Sequence, residues 1–314
     1  MHTSSGAARA STDSPNAPSA SGPDMPRAGA RIWLEAARPR TLAAGATPVV
    51  VGTAAAGRLI PWRALAALVV ALALQIAVNY ANDLFDANRG VDTPGRVGPR
   101  RAVAASLVTP RAMRAATAVA LAVAGAAGLA LAAAAGWWLI IVGLGCGAAA
   151  LGYSGGRRPY ASAGLGEVFV FVFFGLVATV GSAYVQTETV TLLAVCAAIP
   201  VGGLATAILV ANNLRDLPTD AAAGKKTLAV RFGDHRTRLL FRSVVAGAFA
   251  AVVLVAAAAR SPWPLIALGG LPLARSPLAL AASATGPRLI AALTGTARVE
   301  LVTGALLALG LWVR

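Results

Sequence analysis

Charge is scarce in this chain. Only 12% of its residues are Asp, Glu, Lys or Arg, while 57% are apolar. A soluble domain carries about a quarter charged and about half apolar residues. That deficit excludes an ordinary aqueous globule and makes lipid the solvent. Cysteine is nearly absent: Cys146 and Cys196 are the only two, and both lie inside apolar runs. Their placement excludes a disulfide framework and a cysteine zinc site, and both read as small apolar residues. Histidine is equally rare. His2 sits near the N-terminus and His235 in a charged loop, neither with a neighbour that suggests catalysis. The first residues lack the apolar centre of a signal peptide. Met1–Gly29 is rich in Ser, Ala, Pro and Gly and is expected to be a disordered tail, leaving residues 30–314 as one domain.

What the chain does have is apolar length. About 20 apolar residues span a bilayer core. The expected spans are Thr41–Ile60, Ala64–Asp83, Met113–Ala135, Trp137–Tyr153, Leu165–Tyr184, Val190–Arg215, Leu239–Ala259, Pro264–Ala282 and Val299–Val313. The eighth is interrupted by Pro272, Arg275 and Pro277. The fold class is therefore all-α, a polytopic transmembrane bundle of about nine helices.

The net charge is +15. In a soluble protein that would suggest nucleic acid. Here the basic residues fill the short gaps between apolar runs, which fits positive-inside loops and no nucleic-acid partner. With the N-terminus inside, all the lysines and arginines except Arg58, Arg63, Arg215, Arg260 and Arg314 fall on inner segments. That bias predicts a cytoplasmic N-terminus. The heavy use of Ala, Arg, Gly and Val suggests a GC-rich bacterial genome, hence the bacterial cell membrane.

The chain holds only 12 acidic residues, so their placement carries information. One cluster runs Asn79, Asn82, Asp83, Asp86 and on to Asp92. The other runs Asn212, Asn213, Asp216 and Asp220. On a helix, Asn79, Asn82, Asp83 and Asp86 share one face, as do Asn212, Asp216 and Asp220 if the helix passes Pro218. The second and sixth spans both run from outside to inside, so the two clusters face the same compartment. A carboxylate inside the membrane costs about 2.5–3.5 kcal/mol on insertion scales. Neighbouring carboxylates repel, and the negative end of the helix dipole adds to the penalty. A cation must offset this. Oxygen ligands without His or Cys select a hard metal, and Mg²⁺ binds best when phosphate oxygens share its shell. The clusters therefore predict Mg²⁺ clamping a diphosphate, with Asp83, Asp86, Asp92, Asp216 and Asp220 as metal ligands. A single Asp-rich turn could equally be a solvated helix cap; two on one membrane side are harder to read so.

A diphosphate also needs fixed positive charge. Arg100 and Arg101 follow the first cluster, and Lys225 and Lys226 the second. Between them lies Tyr153-Ser154-Gly155-Gly156-Arg157-Arg158. The glycine pair would let backbone approach phosphate, and arginines can pair its oxygens bidentately. Asn79, Asn82, Arg101, Tyr153, Arg157, Asn212, Arg215 and Lys225 are the expected substrate contacts. Glu167, at the start of the fifth span, reads equally as a substrate-orienting carboxylate or an interfacial residue.

These segments together resemble the UbiA superfamily of intramembrane aromatic prenyltransferases, from Ala36 to the C-terminus. The likeness is greatest to the branch that prenylates 1,4-dihydroxy-2-naphthoate in menaquinone synthesis. It is carried by Ala37-Arg38-Pro39-Arg40-Thr41-Leu42, Asn82-Asp83-Leu84-Phe85-Asp86 with Gly90 and Asp92, and Arg96-Val97-Gly98-Pro99-Arg100. Gly164-Leu165-Gly166-Glu167, Asn212-Asn213-Leu214-Arg215-Asp216 with Asp220, and Gly224-Lys225-Lys226-Thr227-Leu228-Ala229 complete it. The spacing from Asp86 to Asp92 is longer than the broad superfamily pattern. The resemblance implies nine helices around a central cavity. It also implies Mg²⁺, a polyprenyl diphosphate donor and a dihydroxynaphthoate acceptor that loses CO₂ on prenylation. Catalysis would fall to Asp83, Asp86, Asp216, Asp220 and Lys225.

Sister activities on 4-hydroxybenzoate, homogentisate, haem or a sugar acceptor share the same metal logic. A cation transporter would need mid-bilayer acids on several helices, and the third, fourth, seventh and eighth spans have none. The sequence is silent on oligomeric state.

Overall fold

The computed structural model describes residues 29–90 and 101–314. The expected N-terminal tail and Asp92, Arg96 and Arg100 fall outside the described residues, apart from Gly29. Among the described residues all regular structure is helical, and ten helices follow in order. They are α1 Ala30–Ala37, α2 Pro39–Ala55, α3 Pro61–Asn88, α4 Pro110–Ala135 and α5 Leu139–Gly152. Then come α6 Gly166–Thr187, α7 Leu192–Ala222, α8 Leu228–Ala259, α9 Trp263–Ser283 and α10 Arg288–Val313. Seven of these, α3, α4 and α6 to α10, are long and apolar enough to cross a membrane, while Ala44–Ala55 of α2 and Leu139–Gly152 are shorter apolar helices. This is a multi-pass membrane protein.

The tenth helix is α1, which the apolar runs did not reveal. Eight residues reach about 12 Å, too short to cross a bilayer. It lies against α3, where Trp33 meets Tyr80 edge to face, ring centroids 5.7 Å apart. The Tyr80 hydroxyl also donates to the Trp33 carbonyl. α9 is 3₁₀ over Trp263–Gly270 and α-helical over Leu271–Ser283; Pro272 falls at the first turn of the α-helical part, where no helical N–H is needed, and Pro277 lies within it.

Several helices outrun the expected apolar limits. α3 ends at Asn88 rather than Asp83, and α7 passes through Pro218 to Ala222. Hydropathy marks where lipid ends, whereas the backbone hydrogen-bond ladder runs on into the polar zone. α8 starts at Leu228, eleven residues before its expected limit, capped by the Thr227 hydroxyl. Gly233, with φ 76° and ψ 174°, breaks its direction. α10 likewise starts at Arg288 rather than Val299.

α7 is the hub. Its apolar window is 78% buried, against 22–56% for the other long helices. It can sit in the middle because it is built of small residues: Ala197, Ala198, Gly202, Gly203, Ala205, Ala207 and Ala211 are all buried. Against it packs α6, which widens to a π-helix over Phe171–Val180. At their crossing a side chain on Gly175 would land 2.8 Å from the Gly202 Cα, so both positions require glycine. One core joins α7, α8, α9 and α10 through Ile208, Phe241, Ala281 and Leu289. A second joins α2, α7, α8 and α10 through Val51, Val201, Val252 and Leu307. Outward, Leu65, Val119, Ile141, Leu144 and Leu192 are exposed, as lipid-facing residues should be.

The ends of the bundle differ in chemistry. Trp62, Trp137, Trp138, Trp263 and Trp312 are all exposed at one end, next to Arg58, Arg63, Arg260 and Arg314. Tryptophan favours the membrane–water boundary. The other end carries both Asn/Asp clusters.

Candidate functional site

α3 and α7 both deliver their C-terminal turns to the same end of the bundle, and one residue joins them. The Lys225 ammonium lies 3.4 Å from Asp220 of α7 and 4.0 Å from Asp86 of α3. Lys225 is held there by its backbone N–H, which donates to the Asp220 carbonyl at 2.9 Å. The two distant stretches thus converge at one point.

Each of the three rim carboxylates has a basic partner. Asp86 accepts from Arg101 at 3.0 Å, both side chains being 9% exposed. Asp216 accepts Arg215 Nε at 2.7 Å and Nη2 at 2.6 Å. Arg215 Nη2 also donates to Asn212 Oδ1 at 2.9 Å, so α7 presents Asn212, Arg215 and Asp216 as one rigid group. Asp220 faces Lys225. These pairs offset the repulsion of carboxylates gathered at two negative helix ends. α7's passage through Pro218 is what places Asp220 on the face of Asn212 and Asp216.

Asp83 stands apart. Both its oxygens are engaged by backbone, accepting from Ala102 N at 2.8 Å and Val103 N at 3.0 Å. The side chain is 2% exposed. Its setting is that of a tether, fixing the segment that carries Arg101. Asp83 and Asp86 meet the same returning segment, Asp86 through the Arg101 side chain and Asp83 through the Ala102 and Val103 N–H groups. Asn79 donates to the Ala37 carbonyl at 2.8 Å. Asn82 accepts from the Ser154 hydroxyl.

Glu167, which reads from sequence equally as a substrate-orienting carboxylate or an interfacial residue, is buried against α7, and its Oε1 accepts from Asn213 Nδ2 at 2.9 Å. It joins α6 to α7 rather than facing the cavity. Arg157 is exposed in the loop before α6. That loop is anchored at both ends of the site: Arg89 donates to the Gly156 carbonyl, and Lys226 N to the Ser162 carbonyl.

Beneath the rim lies a cavity of about 330 Å³. Arg38, Asn79, Asn82, Tyr153 and Asn212 line its polar mouth, and Leu74, Val142, Phe173, Val177, Ile208 and Leu209 its body. Aromatic rings form one wall. Tyr153 meets Tyr160 edge on at 5.4 Å, Tyr160 stacks on Phe169 at 4.0 Å, and Phe173 follows at 5.9 Å. Burial pushes the Tyr153 and Tyr160 phenols up, so both stay protonated. Tyr160 donates to the Ala149 carbonyl at 2.8 Å.

Arg38 is a site residue that sequence reading quoted but did not assign. It links α1 to α2 in a left-handed conformation, φ 57° and ψ 66°, and lines the cavity. The following proline was the available signal, since it disfavours the right-handed helical region at the residue before it. A further carboxylate, Glu300 of α10, lies 1% exposed beside Thr47 and Pro200, and neither oxygen has a hydrogen-bond partner among the described residues.

The donor set suits a hard cation. Asp86 and Asp220 converge on one positive charge with amide oxygens nearby and no sulfur or imidazole ligand. Among the described residues, no three such side chains form a closed metal cage. An open set of one or two carboxylates is what Mg²⁺ uses when a substrate's phosphates complete its shell.

The UbiA prenyltransferase family model matches residues 45–286. A Mycobacterium tuberculosis 1,4-dihydroxy-2-naphthoate octaprenyltransferase is 46% identical over 77% of this chain and 83% of its own length. The Escherichia coli enzyme of the same name is 36% identical over 71% and 76%. Among solved structures, a UbiA homolog from Archaeoglobus fulgidus bound to DMAPP and Mg²⁺ superposes with a TM-score of 0.64 at 17% identity. It covers 90% of this chain and 99% of its own.

Proposed function

The chain belongs to the UbiA prenyltransferase family, and from that premise we propose that it moves a polyprenyl chain from polyprenyl diphosphate to 1,4-dihydroxy-2-naphthoate, releasing CO₂ and giving the quinol form of demethylmenaquinone. One observation carries the site reading: Lys225 draws Asp86 and Asp220 to one point above an apolar cavity.

Asp86, Asp92, Asp216 and Asp220 are the residues that would hold Mg²⁺, with the Asn82 and Asn212 amides beside them. Bound there, Mg²⁺ would neutralise charge on the diphosphate as its bond to carbon weakens. Lys225, Arg101 and Arg215 supply fixed positive charge to the same leaving group, and Arg157 is placed to reach it from the loop. Asp83 acts by holding Arg101 in place. Tyr153, kept protonated, offers a hydroxyl proton at the cavity mouth.

The prenyl C–O bond breaks and its electron pair leaves with the diphosphate. The allylic carbon, now electron-poor, is met by the naphthoate ring, and a C–C bond forms. The bond from the ring to its carboxylate breaks, its electrons return to the ring, and CO₂ departs. Charge balances without an added oxidant or reductant. Tyr160, Phe169 and Phe173 offer ring faces to a passing cation, and the apolar walls keep out the water that would quench it.

The seven long helices with α2 and α5 are read as nine spans enclosing the cavity. The arginine bias and the tryptophans at the far end support a cytoplasmic site.

The test is prenylation by membranes given dihydroxynaphthoate, polyprenyl diphosphate and Mg²⁺, with EDTA as control. Prenylated naphthol should form only with metal. Preference for 4-hydroxybenzoate or homogentisate would sink the assignment.

A further inference from the structure

The cavity-facing side of α3 carries a series of polar side chains: Gln75, Asn79, Asn82 and Asp86 stand at i, i+4, i+7 and i+11. That spacing keeps them on one helical face. The first three line the cavity, yet their situations differ. Asn79 donates to the Ala37 carbonyl and Asn82 accepts from Ser154. The Gln75 Oε1 is buried and meets no hydrogen-bond partner.

At 1.5 Å rise per residue, Gln75 lies about 10 Å deeper than Asn82. Ala71, Leu74 and Val78 beside it on α3 line the same cavity, as does Gly45 of α2, where an added Cβ would lie 3.8 Å from the Gln75 Cβ. An amide oxygen in apolar surroundings without a donor costs about 1–3 kcal/mol. Ligand sites typically place a few polar groups within apolar walls to set orientation. Gln75 is such a group, one ring's length below the charged rim.

The chemistry of Oε1 limits what it can meet. It accepts only, so it offers nothing favourable to a carboxylate or phosphate. A prenyl chain has no donor. Of the substrates in the proposed reaction, only the aromatic acceptor brings an O–H. Its 1-hydroxyl is bonded internally to the adjacent carboxylate, which leaves the 4-hydroxyl.

We propose that Gln75 of α3 positions the aromatic acceptor by accepting a hydrogen bond from its 4-hydroxyl. This rests on the naphthoate reading above. The bond fixes the ring's rotation in the cavity.

The experiment uses the full chain in detergent or nanodiscs. Gln75→Met keeps side-chain length and removes the acceptor; Gln75→Leu is the second variant should the first fold poorly. The readouts are KM for each substrate and the competitive Ki of 1-hydroxy-2-naphthoate, which lacks the 4-hydroxyl. The wild type should favour the dihydroxy acid by about tenfold. In either variant that ratio should fall to about one, while KM for polyprenyl diphosphate stays within about twofold. An unchanged ratio with naphthoate turnover intact overturns the role of Gln75 alone. A wild type that prenylates a different acceptor overturns the proposed function and this inference with it.

Discussion

The Lys225 ammonium stands between Asp86 and Asp220, 4.0 Å from one and 3.4 Å from the other. It bridges carboxylates of α3 and α7. Neutralising it leaves two carboxylates facing each other across the rim and removes a charge from the leaving group. Lys225→Met should therefore lower kcat/KM for polyprenyl diphosphate by about a hundredfold, near 2.7 kcal/mol. Lys225→Arg should recover part of that loss. Initial-rate kinetics decide it, and a Met variant with near-normal kcat/KM would remove Lys225 from the site.

Asp83 and Asp86 are three residues apart but should fail differently. Asp83→Ala strands the buried Ala102 N–H and the part-buried Val103 N–H. It should lower stability by about 1–3 kcal/mol for each group left unmet, with activity lost alongside. Asp86→Asn should keep the melting temperature within a few degrees and raise the Mg²⁺ concentration needed for half-maximal rate. Thermal unfolding in detergent and a Mg²⁺ titration separate the two. Identical behaviour would mean that the tether and the metal ligand are not distinct roles.

The α6–α7 crossing permits no side chain at its contact point. Gly202→Leu would drive atoms into Phe171 and the Gly175 backbone, costing about 1–3 kcal/mol or more as overpacking. A lower melting temperature should accompany weaker acceptor binding, because α6 forms the aromatic wall. A stable variant with normal KM values would show that the helices can separate freely.

Glu300 presents the opposite case. Its carboxyl is buried and unpartnered among the described residues. Replacing buried charged groups with apolar ones is often neutral or stabilising. Glu300→Leu should unfold at an equal or higher temperature than the wild type, with KM for both substrates unchanged. A large drop in stability or activity would point to an interaction that the fold alone does not reveal.

Much of the fold was legible because lipid imposes a simple rule: long apolar stretches must be helices. What hydropathy could not mark was where helices end outside lipid. α3, α7, α8 and α10 all run past their apolar limits, and amphipathic α1 gave no long apolar run. The site was legible in outline because carboxylates are costly among apolar residues, so Asp86, Asp216 and Asp220 stood out. Asp83 looked the same on a helical wheel. Only the returning backbone at Ala102 and Val103 gives it a different setting, and a wheel contains no such chain. Glu167 carried a similar ambiguity, and only the structure shows its Oε1 accepting from Asn213 of α7. Gln75 escaped notice since an uncharged amide in an apolar run gives no signal until the cavity beside it is seen.

The cavity's division into a charged mouth and an oily interior has a kinetic consequence. The two large products differ in solubility as widely as two molecules can. Pyrophosphate belongs to water and departs through the rim, whereas the prenylated naphthol dissolves in the bilayer. Once separated into different phases, they seldom meet again at one enzyme. The turnover is thereby ratcheted forward by partition, even before the escape of CO₂ as a gas makes reversal remote.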